Sequence, residues 1–210
     1  MNNNKVISAQ VIKRLPRYYR FLGELLENGV VKTSSRELSE KMGFTASQIR
    51  QDLNCFGGFG QQGYGYSVEG LHREIGKILG LYSKHKAIII GAGNLGRTIA
   101  MSIPFEQRGF VITGIFDNDP EKTGEQIGGV TVFSTDEIET FCADNKPEAA
   151  FLCIPKTAAP ELVERLYNSG VKCFWNFSHY DLSVVYDDVI VENVHINDSL
   201  MILCYRLSTR

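Results

Sequence analysis

The hydrophobic positions change period part-way along this chain. From Ser8 to Asn28, apolar residues fall at Val11, Ile12, Leu15, Tyr18, Tyr19, Leu22, Leu25 and Leu26, the spacing of one face of an amphipathic helix. Pro16 interrupts the stripe, which predicts a short helix followed by a longer one with Pro16 in its first turn. Gly29 stands just past the helix end. Two short helices follow. Ser34-Ser35-Arg36-Glu37 and Thr45-Ala46-Ser47-Gln48 each spell a capping box, in which a hydroxyl caps a free N–H and the later side chain reaches back. The first of these helices is expected to end near Met42-Gly43, and the second to run from Thr45 through Ile49 and Leu53 to about Phe56. Two capped helices around a tight glycine turn make a helix-turn-helix signature. Beyond it, Gly57 to Tyr66 alternates glycines with aromatics and glutamines. That pattern predicts a short β-hairpin around Gln61 to Gly63, the wing of a winged-helix domain. A further helix is expected from Val68 to Leu81.

From Lys86 onward the pattern is different. Ala87-Ile88-Ile89-Ile90 is a continuous apolar run, as expected of a parallel strand buried on both faces. Similar runs occur at Phe110 to Phe116, Val130 to Phe133, Ala149 to Ile154 and Cys173 to Phe177. Helical stretches at Leu95 to Ser102, Asp136 to Ala143 and Ala158 to Ser169 separate most of them. This alternation implies βαβ units and a Rossmann-like, doubly wound parallel sheet. The last segment, with Leu200, Ile202, Leu203, Tyr205 and Leu207, is too apolar to remain solvated and is assigned to a dimer interface. The fold class is therefore α/β with an N-terminal winged helix-turn-helix. Its expected parts are a DNA-binding domain at 1–84, a nucleotide-binding domain at 85–194 and a C-terminal dimerisation helix at 195–210.

Charge supports this division. Residues 1–84 carry twelve Lys and Arg against seven Asp and Glu, whereas residues 85–210 carry ten against seventeen. A basic first part suits a polyanionic partner. The first residues, Met-Asn-Asn-Asn-Lys, have no apolar stretch behind a basic segment, and no apolar run approaches membrane-spanning length. The expected location is the cytoplasm, without membrane association. Five cysteines, none in a C-x-x-C pair, read as reduced thiols that behave as small hydrophobes, and no metal is expected.

Gly91-Ala92-Gly93-Asn94-Leu95-Gly96 fits G-x-G-x-x-G between a buried strand and a helix. Gly91 makes the tight turn, Gly93 lets backbone approach a pyrophosphate, and Gly96 permits close helix–strand packing. Asp117 stands 21 positions after Gly96 at the end of the next strand. A carboxylate there holds adenosine ribose hydroxyls and repels a 2′-phosphate, so the cofactor expected is NAD(H). Ends of later strands bring Pro155, Asn176 and Phe177 toward the ligand, while Lys156 reads as a surface residue. Catalysis is not expected. His179 has no obvious orienting partner, and the Tyr82-x-x-x-Lys86 pair precedes the first strand of this domain. Only 33 residues follow Phe177, too few for a substrate domain, so the dinucleotide reads as a signal.

On the DNA side, Ser47, Gln48, Arg50 and Gln51 are the candidate base-reading positions of the recognition helix, because Arg pairs with guanine and Gln with adenine, and Thr45 at the helix start is a further candidate DNA contact. Arg14, Arg17 and Tyr18, with Lys13, are candidate phosphate contacts, and Gln61 and Gln62 candidate groove contacts from the wing.

Taken together, the chain resembles the Rex family of redox-sensing repressors along nearly its whole length. The segments that carry the resemblance include Arg14 to Arg20, Thr33 to Leu38, Gln48 to Leu53, Phe56 to Tyr66, Gly91 to Gly96, Phe116 to Lys122 and Val191 to Val194. The resemblance implies a homodimer with exchanged C-terminal helices. It further implies a repressor of fermentation and respiration genes that leaves its palindromic operator when NADH binds. This chain differs from many relatives at Gln51 and Gln61-Gln62, where they are basic, which lowers the expected salt dependence. It also differs at Ser102-Ile103, where they carry a Tyr, and at His195, where they carry an Asp. Two other readings are an NAD-dependent oxidoreductase with an accessory helical domain and a CoA- or nucleotide-binding module of another kind.

Overall fold

The computed structural model describes residues 7–56, 60–61 and 65–209. The chain forms two compact units, Met1–Tyr82 and Ser83–Arg210.

In the first unit, α1 (Ala9–Glu27) precedes β1 (Lys32–Thr33), α2 (Ser35–Met42), α3 (Ala46–Asn54), β2 (Gly60–Gln61), β3 (Gly65–Ser67) and α4 (Val68–Ile78). Helix α1 is continuous and carries Pro16 in its interior, so the two-helix reading of this stretch is corrected. Packing decides the matter. Leu15, Tyr18 and Leu22 are fully buried in one core with Leu38, Ile49, Leu53 and Ile75, which outweighs the one backbone hydrogen bond that a proline forgoes. Ser34 and Glu37 form both halves of a capping box, and Gly43 closes α2 with a left-handed φ of 68°. At α3, Thr45 caps the N–H of Gln48 without the return bond that would complete a capping box. This helix ends at Asn54, earlier than expected.

Strands β2 and β3 form the antiparallel wing, and β3 also pairs with β1, a strand the hydrophobic pattern did not show. Gly65 is required there. Its φ is +72°, and an added Cβ would lie 2.6 Å from the Thr33 carbonyl oxygen. Gln62 lies outside the described residues, as does the side chain of Gln61.

The second unit contains β4 (His85–Ile90), α5 (Asn94–Ser102), β5 (Phe110–Asp117), β6 (Gln126–Ile127), β7 (Val130–Ser134), α6 (Ile138–Asn145), β8 (Ala149–Leu152), α7 (Ala159–Asn168), β9 (Cys173–Asn176), α8 (Leu182–Val185), β10 (Ile190–Asn193) and α9 (Ile196–Ser208). The sheet order is β10-β9-β8-β4-β5-β7-β6, parallel except for the antiparallel β6–β7 pair. The sheet therefore continues beyond the Cys173 to Phe177 run. β10 extends it, and its mostly exposed edge residues lack the apolar run that marks a central strand. Ile88, Ile89 and Ile90 are wholly buried between the two faces. The chain runs from β4 to β5 on one side and later enters β8 on the other, so the switch point lies at the carboxyl ends of β4 and β8. Open α/β sheets bind ligands there.

Helix α9 stands apart from this core. None of its residues is buried, and Leu200, Met201, Ile202, Leu203, Tyr205 and Leu207 are all exposed.

Candidate functional sites

Local physics builds one face of the first unit. Helix α3 buries Ile49, Asp52 and Leu53, which leaves Ser47, Arg50, Gln51 and Asn54 exposed. These four follow the i, i+3, i+4, i+7 spacing of one helix face. They line a shallow concavity of about 520 Å³ together with Cys55. The Arg50 guanidinium donates to the Ser35 hydroxyl at 3.0 Å, which steadies it across the helix-turn-helix. Thr45 is exposed at the N-cap and Gln48 is half-buried. Asn54 was not among the expected residues, although the helical period from Ser47 reaches it.

Two expected phosphate contacts are corrected. Tyr18 is fully buried, and its hydroxyl donates to Asp52 Oδ2 at 2.9 Å. Arg14 grips the same carboxylate with two bonds of 2.7 Å, from Nε and Nη2. Asp52 is itself buried within α3, and an interior carboxylate requires such partners. Burial, then the bond to Asp52, raises the Tyr18 pKa above its ordinary value, so it remains a donor. The two residues thus pin α1 to α3. Arg17 is exposed and lies over the Phe44 ring at 4.8 Å.

In the second unit, Gly91 to Gly96 span the turn between β4 and α5 and the first residues of that helix. Gly91 has φ +102°, and a Cβ on it would come within 2.6 Å of the Cys153 carbonyl oxygen. A Cβ on Gly96 would lie 1.8 Å from the Gly91 oxygen, so only glycine allows the helix to start this close to the strand. Gly93 differs. A Cβ there meets nothing within 4 Å, so its surroundings are open. Gly93 is also the N-cap of α5, with no side chain capping the helix, and Gly93, Asn94 and Leu95 are exposed. The open backbone and uncapped helix N-terminus fit a pyrophosphate.

Asp117 closes the turn from the other side. Its Oδ2 accepts the Ala92 N–H at 2.7 Å, and its Oδ1 accepts the Asp119 N–H at 2.9 Å and Lys122 Nζ at 3.1 Å. Burial pushes this carboxyl upward, but the two backbone donors and Lys122 outweigh it and leave it below the usual aspartate value. It is thus an anion held in place at the end of β5. Pro155 and Lys156 are exposed in the loop after β8, beside the glycine turn.

Asn176 does not face a ligand. It is fully buried, and its amide is used internally: Nδ2 donates to the Tyr180 carbonyl and Asn193 Oδ1, while Oδ1 accepts from the Ser178 N–H and hydroxyl. It ties β9 to the end of β10. Phe177 is half-buried, packed edge-on against Trp175.

Comparison with known proteins completes the assignment. The chain is 55% identical over 208 residues to the redox-sensing transcriptional repressor Rex of Thermoanaerobacter sp. (strain X514), covering 99% of this chain and 92% of that protein. The chain belongs to the Rex family of redox-sensing transcriptional repressors. A profile described as putative DNA-binding protein N-terminus matches residues 6–54, and one described as CoA binding domain matches residues 82–180. The crystal structure of RSP in complex with beta-NAD+ and operator DNA superposes with a TM-score of 0.91 at 55% identity, covering 98% of this chain and 94% of that one. RSP in complex with beta-NADH gives 0.88 at 51%, covering 98% and 96%. Family membership makes this chain a repressor and sets aside the oxidoreductase reading. Among the described residues no group of three or more His, Cys, Asp or Glu could hold a metal, and no helix is long and apolar enough to cross a membrane.

One Rex-family departure has a structural counterpart. His195, the N-cap of α9, places Nδ1 2.6 Å from Nδ1 of His179, with the rings stacked 4.8 Å apart. His179 adopts a left-handed φ of 60°. One nitrogen must donate and the other accept. The contact links the loop after β9 to the start of α9, and the 16-residue separation hid it from sequence reasoning.

Proposed function

We propose that this chain is an NADH-released repressor that binds a palindromic operator as a homodimer. In this reading residues 1–84 bind DNA, 85–194 bind NAD(H), and 195–210 serve dimerisation. The observation that carries it is the coexistence, in one Rex-family chain, of an exposed polar face on α3 with an open glycine turn beside a buried aspartate. Ser47, Gln48, Arg50, Gln51 and Asn54 enter the major groove. Thr45 and Arg17 meet the backbone, and the wing residues Gln61 and Gln62 make uncharged groove contacts. Gly91 to Gly96 receive the pyrophosphate, and Asp117 receives the adenosine ribose. Pro155 and Phe177 border the nicotinamide side.

The dimer is supported by two apolar surfaces. Helix α9 exposes seven large apolar side chains, Ile196 among them. An open apolar cleft of about 730 Å³, which Phe105, Phe110, Phe151, Trp175 and Ile190 help to line, lies along the sheet. Exposed apolar area of this kind marks an interface, and a second copy covers both surfaces at once by exchanging α9. NADH binds the DNA-released state more tightly than the DNA-bound state, whereas NAD+ does not discriminate in that direction, and the coupling is reciprocal.

Two variants test the division of labour, with palindromic duplexes selected from random sequence as DNA. Arg50→Ala weakens DNA binding and retains NADH; Gly93→Val loses NADH and retains DNA. If either variant loses both ligands while remaining folded, the assignment of separate sites fails.

A further inference from the structure

The ribose corner of the dinucleotide crevice holds more charge than Asp117 alone. Arg97 follows Gly96 in the first turn of α5, and its guanidinium forms a two-pronged bond with the Glu125 carboxylate: Nη1 to Oε1 at 2.7 Å, and Nη2 to Oε2. Glu125 is held by its backbone, since its N–H donates to the Lys122 carbonyl at 3.0 Å and its carbonyl accepts from Val132 at 2.9 Å. Lys122 in turn contacts Asp117 at 3.1 Å and Asp119 at 3.5 Å. These five groups form one cluster. Arg97 is stabilised as a cation first by its bond to Glu125 and also by the charge of Asp117. Glu125 is depressed chiefly by Arg97 and further by Lys122. Three carboxylates therefore face two cations, and both cations are already paired.

A 2′-phosphate on the adenosine ribose adds negative charge at this corner. Arginine is the side chain suited to receive it, because its planar fork matches a phosphate. Here that fork is occupied. We propose that Glu125 is a specificity-determining residue that excludes 2′-phosphorylated dinucleotides by holding Arg97 in a bidentate pair beside Asp117. The inference rests on the NAD(H) reading of the crevice. Asp117 rejects the phosphate by direct repulsion, and Glu125 withholds the Arg97 guanidinium that would compensate. Glu125→Gln removes one negative charge and frees the fork, so the corner becomes electrically balanced and gains a phosphate donor set.

The test is a direct binding titration of the full chain with NADH and with NADPH, by calorimetry or dinucleotide fluorescence. It compares the unaltered protein, Glu125→Gln, Glu125→Ser and the double variant Arg97→Ala/Glu125→Gln. The unaltered protein prefers NADH. Each Glu125 variant raises the ratio of NADPH to NADH affinity by about tenfold, the scale of one charge-assisted phosphate contact. The double variant returns the ratio to its starting value. An unchanged ratio in both Glu125 variants overturns the proposal, as does a gain that persists without Arg97. Failure of the unaltered protein to bind NADH contradicts the NAD(H) reading itself, an outcome separate from the ratio.

Discussion

Replacing Arg14 with methionine separates a structural role from a DNA-contacting one. Met keeps most of the aliphatic stem and deletes the guanidinium. In the native network Asp52 accepts bonds of 2.7, 2.7 and 2.9 Å from Arg14 Nε, Arg14 Nη2 and the Tyr18 hydroxyl. Its side chain is 3% exposed and that of Arg14 is 21% exposed. Arg14→Met leaves a buried carboxylate with one of its three donors. Breaking a buried ion pair in this way costs about 3–5 kcal/mol, and partial solvent access on the Arg14 side lowers the expectation to about 2–4 kcal/mol. With a urea m-value of about 2 kcal/mol/M, the midpoint falls by roughly 1–2 M. The double variant Arg14→Met/Asp52→Asn removes the stranded charge, keeps an acceptor for the buried Tyr18 hydroxyl, and recovers most of the loss. Urea melts followed by far-UV circular dichroism at pH 7 measure all three proteins. The reasoning is refuted if Arg14→Met costs under about 0.5 kcal/mol, or if the double variant is no more stable than the single one. A phosphate contact would show instead as weaker DNA binding with a shallower salt slope and unchanged stability.

Four further outcomes follow from the same geometry. Gly96→Ala destabilises the chain and abolishes NADH binding, because its Cβ has no room beside the Gly91 oxygen; Gly93→Val, in open space, keeps the melting midpoint within a few degrees, and thermal melts distinguish the two. Arg50→Ala weakens operator binding by about 1–3 kcal/mol, measured by anisotropy of a labelled duplex. Asp117 lies below its ordinary pKa in the fold, so its contribution to stability is complete above about pH 4 and is lost as pH falls through the lower folded value; Asp117→Asn therefore flattens the acid limb of a stability–pH curve, and an unchanged limb counts against the bonding described. Burial pushes the Cys153 thiol up to about 12 and Cys142 to about 11, so both resist iodoacetamide at pH 8 until the chain unfolds, as mass spectrometry of labelled peptides reports.

What could be seen in the sequence depended on how local the signal was. The capping box at Ser34 and Glu37, the left-handed Gly43 and the glycine turn at Gly91 to Gly96 are set by neighbours within a few residues, and their residue types declare them. The central strands were equally plain, because a strand buried on both faces reads as an unbroken apolar run. Edge elements gave no such signal: β1 and β6 are short and half-exposed, and β10 is short and mostly exposed. Pro16 misled because a local rule was outweighed by burial of Leu15, Tyr18 and Leu22. At the sites, the open face of α3 and the Gly93 turn followed from period and motif. The partners that fix them did not. Arg14 and Asp52 are 38 residues apart, Arg97 and Glu125 are 28 apart, and His179 and His195 are 16 apart. An Asp on the apolar stripe Ile49-Asp52-Leu53 was the one available hint that α3 carries a buried charge.

The central claim is that one ligand's occupancy of the glycine crevice determines whether the helix-turn-helix remains on DNA. The most direct measurement titrates a preformed complex of the full chain and a selected palindromic duplex with NADH, and in parallel with NAD+, while dinucleotide binding is followed independently. The account predicts that the duplex is released as NADH saturates the protein and is retained at saturating NAD+. A complex that stays intact with its crevice filled by NADH contradicts it.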